Sequence, residues 1–208
     1  KGDMHARGNQ TCIYTAIGGL VGYAGNRGNS YTGTINIVGS HTSGSIEVDG
    51  PSSQSNTYGM PQVGGLVGYI SADKIPLNIQ DSYSATDIYA PNTSLVGGLM
   101  GWGLVNISHS YATGNIVGYN SVGGLIGGAG SSTGTVNGVP YFYGSSISDS
   151  YFSGTATATS TSANTMVGGL AGSWNRLSTM TNSYWNTDNN AAPAGGGLSQ
   201  TNYQGKGN

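Results

Sequence analysis

The amino-acid sequence predicts an all-β chain, folded as a parallel β-solenoid of about five to six turns with loop insertions. Three observations carry that prediction. Glycine supplies 38 of 208 residues and charged residues make up 7%, against usual shares of roughly 7% and 25%. Such a mixture, rich also in Ser, Thr and Asn, serves short strands and tight turns and serves helices poorly. An apolar, glycine-filled phrase recurs: IGGLVGYA from Ile17, VGGLVGYI from Val63, VGGLMGWG from Val96, VGGLIGGA from Val122 and VGGLAGSW from Val167. A Ser-Tyr phrase follows each of them: NSYTGTI from Asn29, DSYSATDI from Asp81, HSYATGNI from His109, DSYFSGTA from Asp149 and NSYWNTDN from Asn182.

Residues 1–208 read as one domain in three parts. Residues 1–16 do not follow the repeat and form a cap or an arm; residues 17–190 hold the repeats; residues 191–208 are a second cap or arm. The first glycines of the GGL phrases are Gly18, Gly64, Gly97, Gly123 and Gly168, at spacings of 46, 33, 26 and 45. The shortest cycle suits one turn of about three short strands, and the longer cycles are that turn plus loops. In stacked turns like packs on like, so Leu20, Leu66, Leu99, Leu125 and Leu170 are expected to form an interior ladder. Tyr31, Tyr83, Tyr111, Tyr151 and Tyr184 form a second column. A polar column of Asn29, Asp81, His109, Asp149 and Asn182 precedes it, as residues that cap turns. Tyr23, Tyr69 and Trp102, with Trp174 one place later, make a third.

Two cycles carry their excess in different places. In the first, TGTINIVG and SGSIEVDG echo each other and suggest a hairpin or an extra partial turn. In the cycle from Gly123, about 14 residues bulge out before Ser150, including GVPYFYGSS from Gly138 to Ser146. Its aromatics Tyr141, Phe142 and Tyr143 either fold back over the solenoid or stand out as a binding surface for a glycan or a protein. Folding back is the expectation the pattern favours.

The chemistry-bearing residues are few. A formal charge of −2, with six Lys and Arg that never cluster, argues against a nucleic-acid partner. The longest apolar run, Leu95 to Val105, is shorter than the ~18 residues a spanning helix needs. The start lacks a signal-peptide core, which suits a mature chain or part of a longer one. Cys12 is the one cysteine, so no internal disulfide forms. Eight carboxylates and three histidines are scattered. Asp81 and Asp149 read as turn residues, and Glu47 and Asp49 share one face of a strand. No zinc, phosphate-loop, dinucleotide or nucleophile-elbow motif is present. The expectation is therefore no enzyme, no metal and no cofactor.

The VGGLVG phrase, a spacer and NSYATG-like segments together resemble the GLUG repeat of bacterial cell-surface proteins, most clearly from Val96 to Gly127 and in outline from Ile17 to Asn190. That resemblance implies a right-handed β-helix module in secreted or surface-anchored proteins, including adhesins, haemagglutinin-like proteins and the non-catalytic part of some immunoglobulin-cleaving metallopeptidases. The peptidases' HExxH motif has no counterpart here, so that activity is not carried over. The functional expectation is an extracellular, non-catalytic structural module. It serves as a self-assembling filament or sheath subunit, or as a stalk; the alternative is an adhesin module gripping a glycan or host protein through the aromatic insertion. A polysaccharide-active β-helix enzyme is the third reading. The low charge favours self-association, because charged edges are the usual protection against strand pairing.

Overall fold

In the computed structural model the described residues are 2–7, 16–25, 35–49, 61–71, 76–136, 139–189 and 195–196. All their regular structure is β, and all pairing is parallel except in one hairpin. No helix among them is long and apolar enough to cross a membrane. Each cycle of the sequence contributes to each of four sheets in a fixed order. The cycle between Gly97 and Gly123 shows the scheme. Leu95–Gly97 lies in the first sheet, Met100–Gly103 in the second, Val105–Ser108 in the third, and Tyr111–Ala112 and Ile116–Gly118 in the fourth. Ser121–Gly123 then pairs with Leu95–Gly97, one cycle on.

A cycle thus carries four or five short strands where spacing alone suggests three, because the fourth-sheet strand is continuous in His41–Asp49 and Tyr83–Tyr89 and divided in the next two cycles. The breaks are chemical. Asp81, His109, Asp149 and Asn182 all sit at φ between 46° and 50°, and Gly39 takes the same place in the first cycle at 59°. The polar column is therefore a column of left-handed residues that turn the chain between the third and fourth sheets. Asn, Asp and His are the non-glycine residues that tolerate this conformation best.

The first cycle differs from its sequence reading. INIV and HTSGSIEVD are neither a hairpin nor an extra turn: Ile35–Val38 pairs with Leu77–Gln80 in the third sheet, and His41–Asp49 pairs with Tyr83–Tyr89 in the fourth. His41 accordingly occupies the tyrosine column in this cycle. Tyr31, Asn29 and Cys12 lie outside the described residues. Gly2–Arg7 adds in parallel to His41–Asp49 as the outermost described strand of the fourth sheet. Beyond the last cycle, Gly195–Gly196 pairs with Ala171–Ser173.

The core explains the glycines. Leu66, Leu99, Leu125 and Leu170 are fully buried and linked by backbone bonds from each leucine N–H to the next leucine's carbonyl, 2.8 to 2.9 Å. The second glycine of each GGL faces the residue that follows the tyrosine column on its inward side. Gly19 meets Thr42, Gly65 meets Ser84, Gly98 meets Ala112, Gly124 meets the Phe152 ring and Gly169 the Trp185 ring. A side chain there would occupy space the neighbour already fills. Leu20 breaks the interior ladder. It is 50% exposed, because no described strand stacks beyond Ala16–Gly18 and Val21–Gly25 in their sheets, although its N–H still donates to the Leu66 carbonyl at 3.0 Å.

Candidate binding surface

Ladders of side chains run outward as well as inward. Ser40, Ser82, Ser110 and Ser150 each donate their backbone N–H to the hydroxyl of the serine one cycle on, at 3.1, 3.1, 3.1 and 3.3 Å, ending at Ser183. Each hydroxyl donates in turn to the carbonyl two residues before it, at 2.7 Å for Ser82 and 2.8 Å for Ser110. Asn36, Asn78, Asn106 and Ser146 form a parallel chain of side-chain bonds at 2.8, 3.1 and 2.7 Å. The serine of the Ser-Tyr phrase is thus the structural half of the motif. Ser110→Ala would strand the buried N–H of Ser82, and it is expected to cost about 2 kcal/mol in urea denaturation. Ser40→Ala, at the end of the ladder, is expected to cost well under about 1 kcal/mol.

The rings of His41, Tyr83, Tyr111 and Tyr151 stack at 5.0, 4.9 and 4.8 Å, tilted by 9°, 2° and 4°, and Tyr184 continues the register beyond Tyr151. Stacking spends the ring faces on one another, which leaves edges and hydroxyls outward. The Tyr151 hydroxyl is held above its ordinary pKa of 10.0, first by burial and then by the neighbouring Tyr111.

The carboxylates are engaged within the same framework. Glu47 Oε2 lies 2.8 Å from the His5 Nδ1 at the exposed edge, Asp3 accepts the N–H of Ser45 at 3.2 Å, and Asp87 accepts that of Asn115 at 2.8 Å. Asp149 accepts from the Asn182 amide at 3.2 Å. Among the described residues no group of three His, Cys, Asp or Glu forms a metal-binding cluster.

The third column is shorter than the sequence suggests. Tyr23, Tyr69 and Trp102 stack at 5.4 Å each, but the next places in register belong to Gly128 and Ser173. Trp174 is buried in the core instead. The column ends at Gly128 because the Trp102 ring lies across it: an added Cβ there would stand 2.5 Å from the indole.

Beside this column rises the insertion. Ser131–Val136 and Val139–Gly144 form an antiparallel hairpin. Phe142 is 66% and Tyr143 46% exposed, so the aromatics stand out from the stack rather than folding back over it. Tyr141 and Tyr143 sit on one face with rings 5.2 Å apart, and Phe142 is on the other. Tyr141 covers Gly134 across the hairpin. The neck is tied from outside. The Ser145 hydroxyl donates to the carbonyls of Gly130 and Gly103 at 3.0 and 3.2 Å, and the Asn175 amide to those of Ala129 and Gly130 at 2.9 Å each.

Register defines the insertion's limits. Ala129 pairs with Gly103 and Ser146 with Asn106, so Gly130 and Ser145 stand where Leu104 and Val105 stand one cycle earlier. Residues 131–144 are the excess. Deleting them and joining Gly130 to Ser145 is expected to keep the fold, with a melting temperature within a few degrees of the parent by circular dichroism. Collapse of the transition would show that the hairpin supports the stack.

Between hairpin and column lies a cleft of about 100 Å³ lined by Tyr69, Ile70, Ser71, Trp102, Leu104, Gly130, Ser131 and Ser132. The sequence pointed to Tyr141, Phe142 and Tyr143 alone; the structure adds the wall of Tyr69 and Trp102, which sequence placed in a column but not beside the insertion. Comparison with models of known protein families, with curated proteins and with solved structures finds no match to this chain.

Proposed function

We propose that the chain is a right-handed β-solenoid of the GLUG-like kind and serves as a non-catalytic structural module on a bacterial surface, a stalk that extends or presents other parts. The supporting observation is the set of in-register ladders: leucines within, serines at the turn, tyrosines and asparagines outside, each cycle bonded to the next. Work of this kind needs continuity, and parallel cycles joined by nearest-neighbour bonds provide it.

The stalk reading is favoured over the filament subunit by the outermost strand of the fourth sheet. Gly2–Arg7 is the outermost described strand of that sheet and carries the exposed Asp3, and charge on an edge strand opposes further pairing. Light scattering with electron microscopy across a concentration series is expected to show monodisperse particles throughout. Fibres with an axial repeat near one subunit's length would assign the filament role instead. Release of new sugar ends from a panel of polysaccharides would overturn the non-catalytic reading.

A further inference from the structure

We infer that the cleft between the Tyr69–Trp102 stack and the root of the hairpin is a binding site for one ring of a neutral glycan. Three features of the cleft select that ligand class. Its lining mixes two aromatic side chains with three serines and the apolar Ile70 and Leu104, and none of the eight residues is charged. A ligand that presents C–H groups to an aromatic wall and hydroxyls to serines fits this mixture. Among the described residues that line the cleft, an ionic ligand finds no counter-charge.

The size is a second constraint. At about 100 Å³ the cleft is several-fold smaller than the ~300 Å³ or more that encloses a drug-sized molecule, so it takes a single ring from a chain that lies across the surface. The third feature is preorganisation. Trp102 is fixed by Tyr69 on one side and by Gly128 beneath it, and the opposing wall is fixed at Gly130 by Ser145 and Asn175. Both walls are thus in place before a ligand arrives, which lowers the ordering cost of binding. Ser132 stands opposite Tyr143 in the hairpin register; directly opposed residues of an antiparallel pair share a face. Ser132 therefore shares a face with Tyr141 and Tyr143, and that face gives the next units of the glycan a place to rest.

The site is independent of whether the module is a stalk or a filament subunit. Its test is titration of the full chain with neutral hexasaccharides of the cello, malto, manno and chito series, and with a hexuronate as the charged comparison. Intrinsic fluorescence is a suitable readout, because Trp174 and Trp185 are buried at 5% exposure each and Trp102 lines the cleft. At least one neutral oligosaccharide is expected to give a saturable change, with the hexuronate at least about tenfold weaker, a difference of roughly 1.4 kcal/mol. Ser132→Phe fills the cleft from the hairpin side, and it is expected to weaken binding by about tenfold or more with a melting temperature within a few degrees of the parent. Phe142→Ala, on the opposite face, is expected to stay within about twofold. The proposal is overturned if no neutral oligosaccharide binds at millimolar concentration, if Ser132→Phe binds like the parent, or if Phe142→Ala weakens binding as much as Ser132→Phe does.

Discussion

Gly97→Ala is expected to destabilise the chain by about 3 kcal/mol or more, enough to unfold a domain of marginal stability. An added Cβ at this position would overlap the carbonyl of Met100 and the amide of Gly127, both backbone groups that cannot rotate aside. Relief would require the strands of adjacent cycles to move apart, breaking bonds such as Leu99 N–H to the Leu125 carbonyl at 2.9 Å. Gly2→Ala is the matched comparison. Nothing lies within 4 Å of its added Cβ, and its cost is expected to be within about 0.5 kcal/mol. Urea denaturation of both variants reads the difference, and equal midpoints would show that the glycine phrase is not a packing constraint.

Leu125→Ala is expected to cost about 3 kcal/mol, whereas Leu20→Ala is expected to cost less than about 1 kcal/mol. Sequence assigns the two leucines one role. Structure separates them, since Leu125 is fully buried between Leu99 and Leu170 while Leu20 is half exposed at the end of the stack. Comparable losses from both substitutions would mean that Leu20 is covered in solution.

Much of the architecture was legible because its signals repeat. The GGL phrase announces a β chain with cycles of unequal length, and the parallel register of Val63, Val96, Val122 and Val167 follows the phrase residue for residue. The first cycle was misread because it contains two candidates for the serine turn. Ser30-Tyr31 matches the motif's letters, but Ser40-His41 holds the place in register. The discriminating signal was the Asn-Ile pair at Asn36, Asn78 and Asn106, whose separations of 42 and 28 equal those of Ser40, Ser82 and Ser110. A column defined by stacking accepts any flat ring, so an aromatic search that demands tyrosine passes over His41.

The cleft was out of reach for a different reason. Its walls are about thirty to sixty residues apart in the chain, and the proximity of Trp102 to Ser132 depends on where the insertion interrupts its cycle. The registers of the second and third sheets together fix that point, at the equivalents of Leu104 and Val105. The polar column was recognised as a turn, but its left-handed backbone was not. Composition shows which residues tolerate that conformation without showing which positions adopt it.

The neck at Gly130 and Ser145 separates two kinds of sequence change. The bonds that close it come from Ser145 and from Asn175 of the following cycle, both outside the fourteen residues of the excess. Variation at exposed hairpin positions such as Thr133 and Phe142, unlike Gly144, whose added Cβ would overlap the Leu177 backbone, therefore costs the scaffold little free energy while it reshapes the insertion. A chain built this way can change what it touches on an evolutionary timescale without renegotiating how it folds, and the same neck is a natural place to graft a foreign loop whose ends lie close together.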